Sequence, residues 1–451
     1  MKRSLLVVAF VACAAITSNA ARAQPAQDAS KYSANVAIEW FQLDLQLIQQ
    51  TPGFSPPVAA RALGYLGLAL YESVVPGMPA HRSLAGQLNE LDSLPWAQPD
   101  EALHWPTVAN AALAAMTRMM FPTASAENKT RIDLLERNLP LKYPQEFDPA
   151  TVTAEITQRS ESFGKLMAMA LMTWARTDGG HEAWGPLRRS QANYVPPSGA
   201  GQWSATPPTF APALLPWWGE NRPFVLKGSD ACPAPAPPPY SEASGSPFYK
   251  EAEEVWRIAN AATQAQRQYA LYWADDPGKT PTPAGHWVHI AGGVLKARKA
   301  TLADAAETYA RLTLAMNDAF IAAWRSKYQI NLLRPCHLRA VVHRQQLDAA
   351  TDEHAAVPGV PVGALGAVGG GGGGAVEDVR CADRIHRQRA QRSRLGAAHV
   401  HELRRSGGRS GAVAAVCGHS FPQRRGQRAG AGTLRGGAGV GVEDAAVRAA
   451  Q

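Results

Sequence analysis

Apolar side chains recur every three or four residues along most of the first part of the chain, which is the period of an α-helix. The clearest case follows Ser55, where two prolines suit the first helical turn because that turn does not need their missing N–H groups. A helix that is apolar on two sides is largely buried. Here the two apolar rows are Val58, Ala62, Tyr65 and Ala69, and Leu63, Leu66 and Leu70.

The same spacing predicts further helices over residues 36–50, 108–121, 127–139 and 247–262. Asp148 and Pro149 carry the start signal of another long helix. A capping-box pattern at residues 301–304 opens a helix that is predicted to end near Trp324. Convincing strand patterns are absent, and residues 186–246 read as a long irregular crossover rich in Pro, Gly and Trp. The pattern therefore predicts a mainly α fold of bundled helices.

The composition of the chain changes near residue 343. The last 109 residues contain 21 of the 39 glycines and 15 arginines, but no lysine and one aromatic residue, Phe421. They carry six of the eight net positive charges, so the rest of the chain is close to neutral and nucleic acid is not expected as its partner. Too little large apolar surface remains here to build a core, and we expect disorder. An RNA-binding tail is the competing interpretation, and the missing aromatic residues count against it.

The first 23 residues have the pattern of a secretory signal peptide. Lys2 and Arg3 precede an apolar run, and Ala21-Arg22-Ala23 offers small residues at the two positions that a signal peptidase reads. The run is too short to span a bilayer, and Arg61 interrupts a later apolar stretch. We therefore expect an exported protein, periplasmic or extracellular, without a membrane span.

One short motif carries candidate chemistry. Lys327 and Arg334 lie in the pattern K-x6-R-P, directly after the helix that is predicted to end near Trp324. An ammonium and a guanidinium that meet in one pocket form a clamp for phosphate or an oxyanion of the same shape, whose oxygens need several donors. A solvated lysine and an arginine at a helix end are the competing interpretation.

Two histidines upstream of this motif have a spacing that zinc sites also use. His286 and His289 form H-x2-H, but no third ligand follows at a suitable spacing. Histidines of a core or a loop are therefore the expected interpretation.

Several other segments accompany the K-x6-R-P motif. Together with it they resemble the vanadium-dependent haloperoxidases, members of the type 2 phosphatidic acid phosphatase superfamily, from Val36 to about Val342. The resemblance implies a helical fold with the site between helices. It also implies that Lys327 and Arg334 bind the oxygens of vanadate or phosphate, which makes them the expected catalytic and cofactor-binding residues, and it assigns no metal ligand. The accompanying segments are Ser55-Pro56-Pro57-Val58-Ala59-Ala60-Arg61-Ala62, Ala69-Leu70-Tyr71-Glu72, Leu214-Leu215-Pro216-Trp217-Trp218-Gly219, Trp287 and Asp318-Ala319.

The resemblance also implies an activity. Vanadate is the implied cofactor, and hydrogen peroxide and a halide are the implied substrates, with the halide oxidised to a hypohalous acid. A soluble acid phosphatase of the same superfamily, which takes phosphate in place of vanadate and acts on a phosphate ester, is one alternative. A catalytically dead helical remnant that binds anions is the other.

Two motifs that the family needs are missing from the chain. One is S-G-H, whose His acts in acid–base chemistry, and the other is S-R-x5-H, whose Arg clamps the oxyanion and whose His ligates vanadium. Both are recovered in order when the codons beyond residue 343 are read out of phase. Residues 362–365 can then spell SGHS, and residues 413–416 and 419–421 can spell SRLY and IHF. This predicts a frameshift near residue 343 and an inactive product.

These observations divide the chain into five parts. The N-terminal parts are a signal peptide, 1–23, a helical region, 24–185, and a Pro/Trp-rich crossover loop, 186–246. A helical region with the K-x6-R-P clamp, 247–342, and an out-of-frame Gly/Arg-rich tail, 343–451, complete the chain. The expected fold class is mainly α, with helical bundles of the vanadium haloperoxidase and type 2 phosphatidic acid phosphatase kind and a lost or disordered C-terminal part.

Overall fold

The computed structural model describes residues 28–98, 101–183, 193–205 and 210–334. The signal peptide and the tail after residue 343 lie outside the described residues. Within the described ranges there are helices and isolated β-bridges but no strand, so the predicted mainly α fold is confirmed. The helices are α1 (Asn35–Gln50), α2 (Pro56–Val74), α3 (Trp105–Met120), α4 (Ala126–Lys142), α5 (Ala154–Ala175), α6 (Pro247–Asn260), α7 (Gln264–Tyr272), α8 (Thr282–Ala297) and α9 (Leu302–Ile330).

Helix α2 is the centre of the packing. It lies antiparallel along α9 and also contacts α3, α5 and α8. Gly64 faces Asn317, and a Cβ at Gly67 would come within 2.2 Å of the Oγ1 atom of Thr313, so these glycines let the two helices approach closely. Residues 56–77 are long and apolar enough to cross a membrane, but the whole apolar window is buried inside the protein. The two apolar sides predicted for α2 are thus both covered by other helices.

Some predicted helix boundaries are wrong. Asp148 does not start a helix, because its carboxylate accepts the Ala150 N–H in a local turn, and α5 begins six residues later behind the cap residue Thr153. Helix α9 does not end near Trp324 but continues to Ile330. Lys327 of the K-x6-R-P motif therefore lies in the last helical turn.

Helices α7 and α8 were not predicted from the sequence. Helix α8 contains three glycines, at Gly285, Gly292 and Gly293, which are poor helix formers. Tertiary contacts explain why a glycine is used: a Cβ at Gly285 would lie 2.6 Å from Pro281 and 3.0 Å from Leu45 of α1. Close packing against α1 therefore outweighs the low intrinsic propensity.

A buried carboxylate holds the crossover loop against α9. Asp318 accepts hydrogen bonds from the backbone N–H groups of Phe224 (2.6 Å), Val225 (2.7 Å) and Leu226 (2.9 Å). Both oxygens are used, so three consecutive amides of an irregular segment are satisfied by one side chain. This contact fixes the loop beside the C-terminal half of α9.

Asp318→Asn is expected to lower the free energy of unfolding by about 2 kcal/mol, because the new amide group must point N–H atoms at backbone N–H donors in either orientation. Urea unfolding followed by circular dichroism measures the change. Asp133→Asn is the matched control, because that carboxylate is half exposed and pairs with Arg118 at the surface. Equal stability of the Asp318 variant and the wild type would contradict this account of the loop.

Candidate oxyanion-binding site

The end of α9 positions the lysine of the motif. Asn331 ends the helix in the left-handed conformation (φ 49°, ψ 43°), and its N–H donates to the carbonyl of Lys327 at 2.8 Å. Asparagine adopts this conformation at lower cost than most residues. The chain therefore turns away from the helix axis within one residue of the last helical turn.

The crossover loop pairs with the segment that follows the helix. The Trp203 N–H donates to the Asn331 carbonyl and the Leu333 N–H donates to the Gly201 carbonyl, both at 2.9 Å. Gly201 has a φ of 80°, and a Cβ there would lie 2.7 Å from the ring of Tyr240, so both the conformation and the space favour glycine. This pairing directs Arg334 into the interior, where its exposed fraction is 4%.

Lys327 and Arg334 lie in one electrostatic environment. The Nζ atom of Lys327 lies 4.1 Å from the ring centroid of Trp324, over the aromatic face. Burial and, after it, the positive charge of Arg334 lower the pKa of Lys327 to about 7. The structure therefore brings the two predicted site residues together, and their role in oxyanion binding stays a prediction.

Two further donors lie on the loop that contacts the end of α9. The indole N–H of Trp203 and the hydroxyl of Tyr194 are buried and have no hydrogen-bond partner among the described residues. Tyr194 packs edge-on against Tyr328 at 5.1 Å between ring centroids. A buried donor without a partner is costly, and an anion next to Lys327 would offer acceptors to such donors. The sequence did not identify these two residues.

The donor set fits the oxygens of an oxyanion, not a metal ion bound directly by side chains. In the part of the chain that the structure describes, no group of three or more His, Cys, Asp or Glu residues is placed to hold a metal. Two cations and two neutral N–H or O–H donors suit vanadate or phosphate. The vanadium-ligating His of S-R-x5-H is missing from the whole sequence.

Oxyanion affinity is expected to fall as the pH rises through 7. Lys327 carries its positive charge below its pKa of about 7 and loses it above that value. With sulfate, which stays doubly charged, isothermal titration calorimetry is expected to show a loss of about tenfold between about pH 6 and about pH 9. In Lys327→Met this dependence should be absent, and an undiminished pH dependence in that variant would assign the titration to another group.

The fold has relatives among solved structures. Neither a family model nor a curated protein sequence matches the chain. The first bacterial vanadium-dependent iodoperoxidase matches with 27% identity and a TM-score of 0.58, over 71% of this chain and 73% of that one. A bacterial vanadium-dependent chloroperoxidase matches in its holo form with 14% identity and a TM-score of 0.45, over 66% of this chain and 65% of that one. Its apo form gives 15% and 0.46, over 78% and 75%.

These structural neighbours define the class of the fold. All three are bacterial vanadium-dependent haloperoxidases, and the described helices match a fold of that kind. The two chloroperoxidase matches have TM-scores below 0.5 and carry no weight here. The iodoperoxidase, which is similar over about three quarters of each chain, is the particular protein to which this chain is compared below.

Proposed function

We propose that this chain is an exported haloperoxidase-like protein that binds vanadate, or phosphate in its place, between Lys327 and Arg334. The observation that carries the proposal is the burial of Arg334 beside Lys327, whose pKa responds to the arginine. Similarity to the iodoperoxidase supports the haloperoxidase-like assignment. The signal-peptide pattern of the first 23 residues supports export.

The described residues perform the binding half of the chemistry. The guanidinium of Arg334 supplies two parallel donors to the oxyanion, and the ammonium of Lys327 adds a second positive charge. Trp324 covers one side of the ammonium and limits its contact with water. Bound vanadate would supply the activation of hydrogen peroxide toward a halide.

The chain as written lacks the groups that complete the reaction. Without the His of S-G-H there is no acid–base group at its expected place, and without the His of S-R-x5-H there is no ligand for vanadium. We therefore expect the 451-residue chain to bind an oxyanion without oxidising halide. A chain translated from the rephased codons should regain both motifs.

The two chains are compared in one set of assays. The written chain is expected to bind vanadate and to leave iodide unoxidised, and the rephased chain is expected to oxidise iodide with peroxide only when vanadate is added. Release of phosphate from phenyl phosphate by the rephased chain, without iodide oxidation, would favour the acid phosphatase. If the written chain fails to bind vanadate or sulfate, the proposed oxyanion site is wrong.

A further inference from the structure

A second candidate site lies at the start of α8. The Nδ1 atom of His286 lies 2.9 Å and 3.0 Å from the two carboxylate oxygens of Asp275. Both residues are buried. A carboxylate on Nδ1 holds the proton there, so in the neutral imidazole the lone pair is on Nε2. The pair has the arrangement of a base and the group that orients it.

Aromatic side chains fix the imidazole ring of His286. Trp273 stacks on it with centroids 4.6 Å apart and an interplanar angle of 12°, and Tyr272 meets it edge-on at 4.5 Å. Trp287 lies 5.6 Å from Trp273. Tyr272 and Trp287 are each 49% exposed, so this cluster is open to solvent on one side.

The Nε2 atom of His286 reaches this open side. Within the described residues it makes no hydrogen bond, because the polar contacts of His286 are those of Nδ1 with Asp275. It is also not among the buried polar atoms that lack a partner. An atom that is neither bonded nor buried is accessible to solvent, so the base faces outward while its carboxylate is covered.

The loop between α7 and α8 is strained on both sides of its turn. Asp275 has a φ of 45° and Thr282 a φ of 69°, and for a β-branched residue such as threonine this is an outlier. The hydroxyl of Thr282 is buried without a partner among the described residues. Strain of this kind persists where the surroundings hold it, and it concentrates at functional sites.

We propose that His286, Asp275 and the cluster of Tyr272, Trp273 and Trp287 form a binding site for a small phenol. The ring of the phenol stacks on the exposed aromatic surface, and its hydroxyl donates to Nε2 of His286. Proton transfer then breaks the O–H bond and forms the Nε2–H bond, and the electron pair stays on the phenolate oxygen. The Asp275 carboxylate stabilises the imidazolium that results.

The surrounding charges favour a neutral ligand that donates a hydrogen bond. Asp275 and Asp276 place two carboxylates beside the ring, and Lys279 pairs with Asp276 at 3.1 Å. An anion would meet a net negative charge, and one imidazole is too few ligands for a metal ion. A phenol satisfies both the aromatic surface and the base. Its binding goes beyond the proposed function and needs neither vanadate nor peroxide.

The test uses 4-nitrophenol and the whole chain as written, because the phenolate of this probe absorbs visible light. In the presence of protein, its apparent pKa is expected to fall by about one unit, a tenfold rise in the ratio of phenolate to phenol. His286→Gln should abolish this shift, since an amide accepts a hydrogen bond but not a proton. His289→Gln is the matched control on the exposed face of the same helix and should keep it.

Trp287→Leu tests the aromatic surface separately, because the half-exposed side chain is dispensable for the core. The dissociation constant for 4-nitrophenol is expected to rise roughly threefold to tenfold. The proposal is overturned if the probe does not bind the wild type, or if folded His286→Gln shifts its pKa as the wild type does. If His286→Gln does not fold, an unchanged affinity in Trp287→Leu overturns it instead.

Discussion

Arg61→Ala is expected to lower the free energy of unfolding by about 3–5 kcal/mol, because it leaves a carboxylate buried without its cation. Arg61 and Asp178 are 3% and 6% exposed, and Nε and Nη2 of the arginine donate to the two oxygens of the carboxylate at 2.7 Å and 3.1 Å. Nη2 also donates to the Ala175 carbonyl at 2.7 Å, and the hydroxyl of Tyr65 donates to Asp178 at 2.8 Å. One side chain of α2 therefore holds the end of α5.

Chemical unfolding followed by circular dichroism measures this effect. Arg118→Ala on α3 is the matched control, since Arg118 also contacts two carboxylates, those of Asp133 and Glu136, but lies at the surface. Its removal should cost less than about 1 kcal/mol. Similar losses in the two variants would mean that burial of the Arg61 pair contributes little.

Arg334→Ala is expected to weaken the binding of vanadate and of sulfate by about 10- to 100-fold, the loss of hydrogen bonds to a charged group. The guanidinium is the buried member of the clamp, and the alanine variant leaves Lys327 as its remaining cation. Isothermal titration calorimetry on the written chain measures the affinity without any need for turnover. The pKa of Lys327 should rise in the same variant, because the repulsion from Arg334 is removed.

Arg311→Ala provides the control for total charge. Arg311 lies on the same helix, is exposed and pairs with Glu307 at 2.8 Å. Its removal changes the net charge equally, so a long-range effect of charge would weaken binding in both variants. Unchanged vanadate affinity in Arg334→Ala would remove the assignment of this site.

The helices that local signals specify were predicted most closely. The capping box of α9, in which Thr301 and Asp304 exchange hydrogen bonds, was identified from four consecutive residues. The start of α5 was misplaced because Asp148 and Thr153 both offer capping oxygens, and only the folded chain shows that the first forms a turn. Helix α8 was missed because its glycines are explained by α1, which lies far away in sequence.

The candidate site divides in the same way. Residue types and spacing singled out Lys327 and Arg334, since a lysine and an arginine seven positions apart form a pattern that any reader of the chain can find. The donors of Trp203 and Tyr194, and the contact of His286 with Asp275, are absent from any local pattern.

The sequence by itself determined that this protein is helical and that one lysine–arginine pair is the candidate anion clamp. Both conclusions rest on periodicity, capping residues and charge, which act over a few neighbouring positions. Only the tertiary structure decided that Arg334 is buried beside Lys327, because the residues that direct it inward, Gly201 and Trp203, lie more than a hundred positions upstream. Hydrogen bonds between such distant segments depend on how the helices pack, and packing leaves no short-range signature in the chain.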